Sequence, residues 1–380
     1  MRILVNALSA TAPSGQHVLF GHVRQLAQWT AGEHDFHILI CPKTMPADAE
    51  IGPNVHWHSA PQTVQTWLRR TFWEARSLPK WMTAHRMDLY FTPTGTILLQ
   101  SPVPQVSLAQ NPWCMAPAVD KNFREQGKAL AQRAAYRAAQ RSADMMVYNS
   151  NHMRQLYCQN AGGREARRGA VAYQGIHAET HAVAQKTRDP FAKDRNTILC
   201  VSVMARWKNC ETLLKSVRQL HDRGIAAKLR LIGGWPESRY RQEIETEIDR
   251  LKLSSHVQIE GHVPADKLLE AYRSAKVYCL LSRCESFGIP AVEAQAFGTP
   301  VVGSNTGAMP EIGGAGGIFV NPDDATAAAE ALEQLLTDDR IWTALSSAAI
   351  ENSDRYRWEQ CSRPLMEMFS LNSNLLGNAP

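Results

Sequence analysis

Two glutamates, Glu285 and Glu293, frame a short turn whose residue types could bind a phosphorylated ligand. Glu285 follows an apolar run typical of a buried strand, and Glu293 lies eight residues later in a helix that begins near Pro290. Backbone N–H groups at a helix start lack intrahelical partners and lie at the positive end of the helix dipole, which favours anions. The residues that offer these donors here are Phe287, Gly288 and Ile289.

A glutamate by itself does not indicate a binding site, because an isolated glutamate is most often a solvated surface residue. Glu293 is flanked by alanine and valine, in a helix that lies between two apolar strands. A carboxylate in such surroundings needs a polar partner or a ligand. The segment therefore predicts an anion site whose carboxylates contact neighbouring hydroxyl groups.

Basic and aromatic side chains are interleaved over residues 63–87. This combination suits the interface of an anionic membrane, and it equally suits single-stranded nucleic acid. Because no nucleic-acid-binding motif accompanies it, we expect a membrane surface and no nucleic acid. The predicted membrane patch consists of Trp67, Arg69, Arg70, Trp73, Arg76, Lys80 and Trp81, with Phe72 among them.

A long pattern rich in alanine and arginine predicts a helix over residues 123–142. Its basic residues recur at spacings of four or five, which places them roughly along one face. They form either an ordinary solvated face or an extension of the membrane surface. They are Arg124, Lys128, Arg133, Arg137 and Arg141.

Short apolar strands alternate with amphipathic helices along the chain, which predicts parallel sheets with helical crossovers. The length of 380 residues suits two domains, and the loss of apolar periodicity over 180–196 predicts a linker between them. Residues 1–180 hold 18 basic and 11 acidic side chains, whereas residues 181–380 hold 23 and 25. We therefore expect the first half to meet an anionic partner.

Several classes of protein and site are not expected. No apolar run approaches the roughly 18 residues of a membrane helix, and the first residues do not resemble a secretory signal. No Asp-x-Asp motif occurs, and nothing near His56 and His58 completes a metal site. We expect no metal and no other cofactor.

The segment LLSRCESFGIPAVEAQAFGTPVVG at 280–303 resembles the E-x7-E motif of retaining glycosyltransferases of family 4 (group 1), which have the GT-B fold. The resemblance extends over VSVMARWKNCETLL, LRLIGG, IEGHVPADKLLEAYRSAKVYCLLS and NTGAMPEIGGAGGIFVNPDD, and also over VAYQGIH and the YRW at 356–358. It is nearly complete in the C-terminal domain and limited to layout in the N-terminal half.

The resemblance implies an α/β fold of two Rossmann-like parallel-sheet domains that face each other across a cleft. Residues 1–185 would bind the acceptor, and a C-terminal helix at about 359–380 would cross back to this domain. Residues 186–358 would bind the nucleotide sugar.

The same resemblance assigns roles to individual residues. Glu285 would contact the sugar, Lys208 would neutralise the diphosphate leaving group, and Glu293 would bind the ribose hydroxyls. The amides of residues 287–289 would hold the distal phosphate. Residues that would border the nucleobase or line the cleft are His262, Val263, Thr306 and Gly307.

The chain departs from the family pattern at three places. Where relatives have an arginine before the lysine, this chain has Val203, so Arg206 is expected to take the phosphate contact or to be simply exposed. In place of a glycine run, Gly15 is the candidate beside the donor phosphate. In place of a histidine near the reacting sugar stand Gln110 and Asn111, with His17 and His22 as possible substitutes or plain helix residues.

These features imply a retaining, metal-independent transferase that moves a sugar from a nucleotide-sugar donor, with GDP-mannose as the first expectation. The acceptor would be a saccharide, linked to lipid, in bacterial polysaccharide assembly. The protein would be cytoplasmic and peripheral on the inner face of the cytoplasmic membrane. The alternatives are a GT-B-like sugar-nucleotide epimerase and an inactive membrane-docking scaffold.

Overall fold

The computed structural model describes residues 1–46, 51–61, 64, 66–117, 119, 121–189 and 192–376, with side chains described as far as residue 370. Residues 377–380, the end of the predicted C-terminal helix, lie outside the described residues. The chain divides into two compact units. The first comprises residues 1–115, 121–175 and 358–380, and the second comprises residues 116–120 and 176–357.

The first unit contains a seven-stranded parallel sheet in the order β3-β2-β1-β4-β5-β6-β7. Its central strands are buried on both faces, as expected for a parallel sheet covered by helices. The strands are β1 Arg2–Asn6, β2 Asp35–Ile40, β3 Val55–Ser59, β4 Leu89–Thr92, β5 Gln105–Ala109, β6 Met145–Tyr148 and β7 Gly169–Val171. Its helices are α1 Pro13–Trp29, α2 Trp67–Ala84, α3 Phe123–Ser142, α4 Asn151–Asn160, α13 Trp358–Cys361 and α14 Arg363–Leu376.

The second unit contains a six-stranded parallel sheet in the order β10-β9-β8-β11-β12-β13. The strands are β8 Asp194–Val201, β9 Lys228–Ile232, β10 Val257–Gly261, β11 Ala275–Leu280, β12 Val301–Ser304 and β13 Gly317–Val320. Its helices are α5 Ala178–Thr187, α6 Cys210–Asp222, α7 Ser238–Arg250, α8 Ala265–Ser274, α9 Ile289–Ala296, α10 Met309–Gly313, α11 Ala325–Thr337 and α12 Asp339–Asp354. Because β8 and β11 are neighbours, the loops that follow them meet at one edge of this sheet.

The helix predicted over 123–142 is confirmed as α3, whose first turn is fixed by a capping box between Asn122 and Glu125. The linker predicted over 180–196 is wrong. Residues 178–187 form α5, which packs on α8 and α9, and β8 begins at Asp194. For this reason the boundary between the units falls at 175–176 rather than at the predicted 185–186. The weak apolar periodicity of α5 reflects a short helix with only three buried residues.

The C-terminal residues belong to the first unit, where the Trp358 indole packs against two glycines of that unit. A Cβ at Gly21 on α1 would overlap the indole, and one at Gly175 would lie 2.5 Å from it. Two α1 histidines line the same contact, since the ring centroids of His17 and His22 lie 5.3 Å and 5.0 Å from that of Trp358. The glycines therefore make room for the returning chain.

Gly21→Ala is expected to lower the free energy of unfolding by about 1–3 kcal/mol, because the added methyl group displaces the Trp358 ring in a packed core. Chemical denaturation with Trp fluorescence measures the change. Gly127→Ala on α3 is the matched control, because no atom lies within 4 Å of the added Cβ. There the higher helix propensity of alanine stabilises the protein by up to about 1 kcal/mol. Equal effects at the two positions would contradict the packing role of Gly21.

Candidate functional site

Lys208 and Glu285 meet at the edge of the second sheet. Lys208 ends the short 3-10 helix Arg206–Lys208 beyond β8, and Glu285 lies in the loop after β11. The Lys208 Nζ donates to Glu285 Oε2 at 2.5 Å, and each side chain is only 13% exposed. The structure thus brings together the predicted sugar-contacting carboxylate and the predicted leaving-group cation, which are 77 residues apart in sequence.

Helix α9 begins beside this pair, as the spacing predicts. Gly288 is its N-cap with φ of +103°, a left-handed backbone conformation that favours glycine, and Pro290 lies in the first turn. A Cβ at Gly288 would lie 2.8 Å from the Met309 Sδ, so space as well as φ requires glycine there. Phe287 is buried with its ring edge-on to Tyr356. The predicted donors Phe287, Gly288 and Ile289 therefore lie at a real helix N-terminus.

The loop after β12 holds the backbone of Glu285 in place. The Ala308 N–H donates to the Glu285 carbonyl oxygen at 3.0 Å. Gly307 has φ of +68°, and a Cβ there would lie 2.7 Å from the same oxygen. The Thr306 hydroxyl points at the Ser282 carbonyl oxygen at 3.5 Å. Thr306 and Gly307, predicted to line the cleft, thus hold the backbone that carries Glu285.

Glu293 is buried inside this unit and has a partner that the sequence did not predict. The Tyr272 hydroxyl on α8 donates to Glu293 Oε2 at 2.8 Å. Burial raises the pKa of Glu293 to about 7, although the hydrogen bond from Tyr272 opposes that rise. No spacing signal links Tyr272 to Glu293 in the sequence, because the two residues lie on different helices.

His262 and Val263 follow β10, next to the glycine turn that follows β9. The Gly233 N–H donates to the Gly261 carbonyl oxygen at 2.7 Å. A Cβ at Gly234 would lie 2.5 Å from the His262 Nε2, so the absence of a side chain lets the imidazole approach the turn. The His262 side chain is exposed and Val263 is half-buried. Both therefore lie at the same edge of the sheet as the predicted nucleobase contact requires.

Arg206 is engaged by carboxylates of its own unit. Its Nη1 lies 2.6 Å from Glu243 and its Nε 3.1 Å from Glu237, while the guanidinium lies 4.8 Å from the centroid of the Tyr240 ring. The side chain is 40% exposed. A phosphate contact at Arg206 would replace these ion pairs, and it stays a prediction. Val203, the aligned position, is exposed.

The candidates of the first unit mostly contact its own backbone. Gln110 Nε2 donates to the Pro93 carbonyl oxygen at 3.0 Å, and Asn111 Oδ1 accepts from the Trp113 N–H at 3.0 Å. Gly15 lies half-buried in the first turn of α1. Each of these positions is shaped by its own loop or helix, and a role in binding sugar or phosphate stays a prediction.

His17 and His22 take part in holding the C-terminal segment. His17 Nε2 lies 2.7 Å from the Gly175 carbonyl oxygen. His22 is fully buried, its Nδ1 lies 2.9 Å from the Ser362 hydroxyl, and burial lowers its pKa to about 3. A histidine that stays neutral at physiological pH and contacts Ser362 and Trp358 serves packing, which favours the plain-helix interpretation of these two residues.

The predicted membrane patch lies on α2 and needs correction. Trp73 and Trp81 are half-buried and pack against the core of the first unit, and Arg70 Nη1 donates to the Leu8 carbonyl oxygen at 3.1 Å. Instead Leu68 and Phe72, one turn apart, are 68% and 69% exposed. Trp67 is 40% exposed. The α2 surface is therefore defined here by the exposed residues Trp67, Leu68, Arg69, Phe72, Arg76 and Lys80.

Three of the five basic residues of α3 bind backbone oxygens rather than forming a free basic face. Arg133 Nε donates to the Cys114 carbonyl oxygen at 2.6 Å. Arg137 Nε donates to the Asn160 carbonyl oxygen at 2.9 Å, and Arg141 Nη2 donates to the Ala161 carbonyl oxygen at 3.1 Å. Two of these acceptors lie at the carboxyl end of α4, where carbonyl groups lack intrahelical partners. The arginines therefore fasten α3 to its neighbours.

Within the described ranges, no helix combines the length and the hydropathy needed to cross a bilayer. Over the same part of the chain, no group of three or more His, Cys, Asp or Glu residues is arranged to hold a metal ion.

Residues 184–355 match the family described as glycosyl transferases group 1. The chain is similar to D-inositol 3-phosphate glycosyltransferase from Corynebacterium diphtheriae, at 32% identity over 174 residues that cover 44% of this chain and 41% of the relative. It is also similar to O-antigen chain mannosyltransferase B from Escherichia coli, at 29% identity over 177 residues that cover 46% of this chain and 45% of the relative. The chain thus spans less than half the length of these curated relatives.

A solved structure of Anabaena Alr3699/HepE in complex with UDP and glucose is similar to the whole chain. The TM-score is 0.73 at 19% identity, and the similarity covers 97% of this chain and 99% of that one. Together with the two parallel sheets, this similarity confirms the predicted fold class, two Rossmann-like units of the GT-B fold.

Proposed function

Because residues 184–355 match the family described as glycosyl transferases group 1, we propose that the protein transfers a sugar from a nucleotide-sugar donor to a saccharide acceptor, with retention of configuration and without a metal. The observation that carries this proposal is the Lys208–Glu285 pair beside the N-terminus of α9. A cation, a set of backbone donors and a carboxylate meet at the carboxyl ends of β8 and β11, where ligands of parallel sheets bind.

In the proposed reaction, the bond between the anomeric carbon and the distal phosphate oxygen breaks, and the acceptor hydroxyl bonds to the same face of that carbon. The hydroxyl proton passes to the departing phosphate oxygen. Negative charge develops on the diphosphate, where the Lys208 ammonium and the α9 amides stabilise it. When the Lys208 ammonium moves from Glu285 to the phosphate, the Glu285 carboxylate accepts hydrogen bonds from the sugar hydroxyls.

The same geometry supports transfer without a metal, because Lys208 and the helix N-terminus supply the positive charge that a divalent cation would otherwise provide. GDP-mannose remains the first donor to test, in keeping with the similarity to a protein named a mannosyltransferase. UDP-glucose is the second, in keeping with the neighbour solved with UDP and glucose.

The test is a screen of nucleotide sugars in which release of nucleoside diphosphate and formation of glycoside are measured, with and without EDTA. The proposal expects release with one donor, faster with a saccharide acceptor and unchanged by EDTA. An epimerised sugar without any glycoside would instead favour the epimerase alternative. Absence of any product with every donor would favour an inactive scaffold.

We further propose that the acceptor is linked to lipid and that the α2 surface holds the protein on the inner face of the cytoplasmic membrane. The α2 surface combines exposed Leu68 and Phe72 with the cations Arg69, Arg76 and Lys80. Large apolar side chains enter the interface while neighbouring cations meet anionic headgroups, so the two features act together.

Replacing Arg69 and Arg76 together with glutamate is expected to weaken binding to vesicles that contain phosphatidylglycerol by at least tenfold, because each cation near an anionic surface contributes about 1 kcal/mol. Sedimentation of the protein with vesicles at low and high salt measures the effect, and salt is expected to shrink it. The control is Arg195→Glu, a side chain of the second unit that is 78% exposed. If Arg195→Glu weakens binding as much as the α2 double variant, overall charge rather than the α2 surface is responsible.

A further inference from the structure

Tyr272 connects α8 to the carboxylate of α9. Its hydroxyl donates to Glu293 Oε2 at 2.8 Å, and its side chain is fully buried, while Glu293 is 9% exposed. The Tyr272 ring stacks on Phe297 with 6.3 Å between the ring centroids. The orientation of the Glu293 carboxylate is therefore set by a neighbouring helix and not by α9 alone.

The backbone of Tyr272 is itself fixed at the carboxyl end of α8. The Thr299 hydroxyl donates to the Tyr272 carbonyl oxygen at 2.9 Å, and it accepts a hydrogen bond from the buried Lys193 Nζ at 2.6 Å. Lys193 also reaches the Tyr272 carbonyl oxygen at 3.3 Å. Because Thr299 lies in the turn between α9 and β12, these bonds tie α8 to the end of α9. The Tyr272 hydroxyl consequently has a defined position relative to Glu293.

A buried carboxyl group without a cationic partner favours its neutral form, which explains why burial raises the pKa of Glu293 to about 7. A hydroxyl that donates to the carboxylate favours the ionised form and opposes this rise. The ionised carboxylate is an acceptor at both oxygens, whereas the neutral acid carries an O–H donor on one of them and accepts more weakly. A ribose diol offers two O–H donors. Ionisation of Glu293 thus decides how well it can bind a ribose.

We propose that Tyr272 is a positioning residue for the nucleotide, whose hydroxyl favours the ionised form of the Glu293 carboxylate and orients it toward the ribose hydroxyls of a nucleoside diphosphate. The inference rests on the proposed function, because the ribose contact of Glu293 is part of it. Tyr272 acts through Glu293 and does not itself touch the nucleotide.

Other titratable groups lie on the elements packed against α9. Tyr278 on β11 is fully buried and interacts electrostatically with Glu293, and its hydroxyl donates to the Val201 carbonyl oxygen at 3.0 Å. The remaining ones are Glu179, the buried His181 and Lys186 of α5, Asp266, Lys267, Glu270 and Arg273 of α8, Lys276 and Cys279 of β11, the half-buried Glu311 of α10 and, on α12, Asp339, Arg340, Glu351 and Asp354. Of the hydrogen bonds found among the described residues, that of Tyr272 is the one made to the Glu293 carboxylate.

The experiment compares wild type, Tyr272→Phe and Tyr278→Phe by calorimetric titration with UDP and GDP over a range of pH. Tyr272→Phe is expected to weaken binding about tenfold near neutral pH, the usual size of a lost hydrogen bond to a charged group. It is also expected to move the midpoint of the pH dependence to higher pH. Tyr278→Phe removes an equally buried hydroxyl that bonds to backbone, so it lowers stability without moving the midpoint.

A second readout needs no ligand. With ¹³C-labelled glutamate side chains, the carboxyl resonance of Glu293 is identified by its absence in Glu293→Gln, and its titration midpoint is expected to be higher in Tyr272→Phe than in wild type. Glu293→Gln is also expected to remove the part of the pH dependence of nucleotide binding that comes from Glu293. The part that remains comes from the terminal phosphate of the nucleotide, whose pKa is about 6.

Three outcomes overturn the inference: an unchanged carboxyl midpoint in Tyr272→Phe, an equal change in Tyr278→Phe, or a pH dependence of binding in Glu293→Gln that equals that of wild type. If wild type binds neither nucleotide, the proposed function fails together with the nucleotide role of Tyr272. The carboxyl titration still decides in that case whether the Tyr272 hydroxyl lowers the pKa of Glu293.

Discussion

Lys208→Met is expected to lower turnover by at least about a hundredfold while changing donor affinity by less than tenfold. In the proposed reaction the ammonium meets charge that develops on the diphosphate during departure, and loss of one such stabilising group typically costs 10²–10³ in rate. Methionine keeps the length and much of the volume of the side chain, so the Lys208 site stays filled. Steady-state kinetics of nucleoside diphosphate release separate kcat from KM.

The matched control for Lys208 is Lys228→Met, because Lys228 is also on the second unit but its side chain is 62% exposed and pairs with Asp194 at 3.9 Å. Its kinetics are expected to equal those of wild type. A Lys208→Met enzyme with unchanged kcat would show that the leaving group is stabilised elsewhere, with Arg206 as the next residue to test.

Glu293→Gln is expected to stabilise the protein at pH 8 by about 3 kcal/mol relative to its effect at pH 4. Burial raises the pKa of Glu293 from 4.5 to about 7, so the folded state favours the neutral carboxyl. The contribution of this group to stability is complete below pH 4.5 and is lost as pH rises through 7. Glutamine stays neutral and avoids that loss, while donor binding falls because the ribose loses an ionised acceptor.

Urea denaturation across this pH range measures the effect, with Glu245→Gln as the control. Glu245 is 45% exposed and pairs with Arg241 on the same helix, so its replacement is expected to change stability by less than about 0.5 kcal/mol at either pH. If the Glu293→Gln difference does not grow with pH, burial does not raise the pKa of Glu293. If Glu293→Gln is more stable than wild type but binds the donor more weakly, the carboxylate at this site lowers stability while it supports binding.

The segment 280–303 allowed most of the site to be predicted from sequence, because its chemistry is local. A strand, a glycine turn and a proline at a helix start follow one another, and they fix the position of residues 285–293 relative to each other. Strand adjacency then brings Lys208 to Glu285, since β8 and β11 are neighbours in the sheet.

The parts that could not be predicted depend on contacts distant in sequence. The sequence around Arg206 does not show that Glu243 contacts its guanidinium. The sequence around Trp73 does not show that the Trp73 ring packs on the core while the adjacent Phe72 is exposed. The α5 helix was missed because most of its stability comes from packing on α8 and α9 rather than from its own periodicity. Tyr272 and Lys193 belong to the same class of unpredicted contacts.

The most direct test of the central claim is a crystal structure of the protein with the nucleoside diphosphate that the donor screen selects. The account predicts the distal phosphate at the amides of Phe287, Gly288 and Ile289 with Lys208 in contact, and the ribose hydroxyls on Glu293. A nucleotide bound away from the N-terminus of α9, with Lys208 still paired to Glu285, would contradict it.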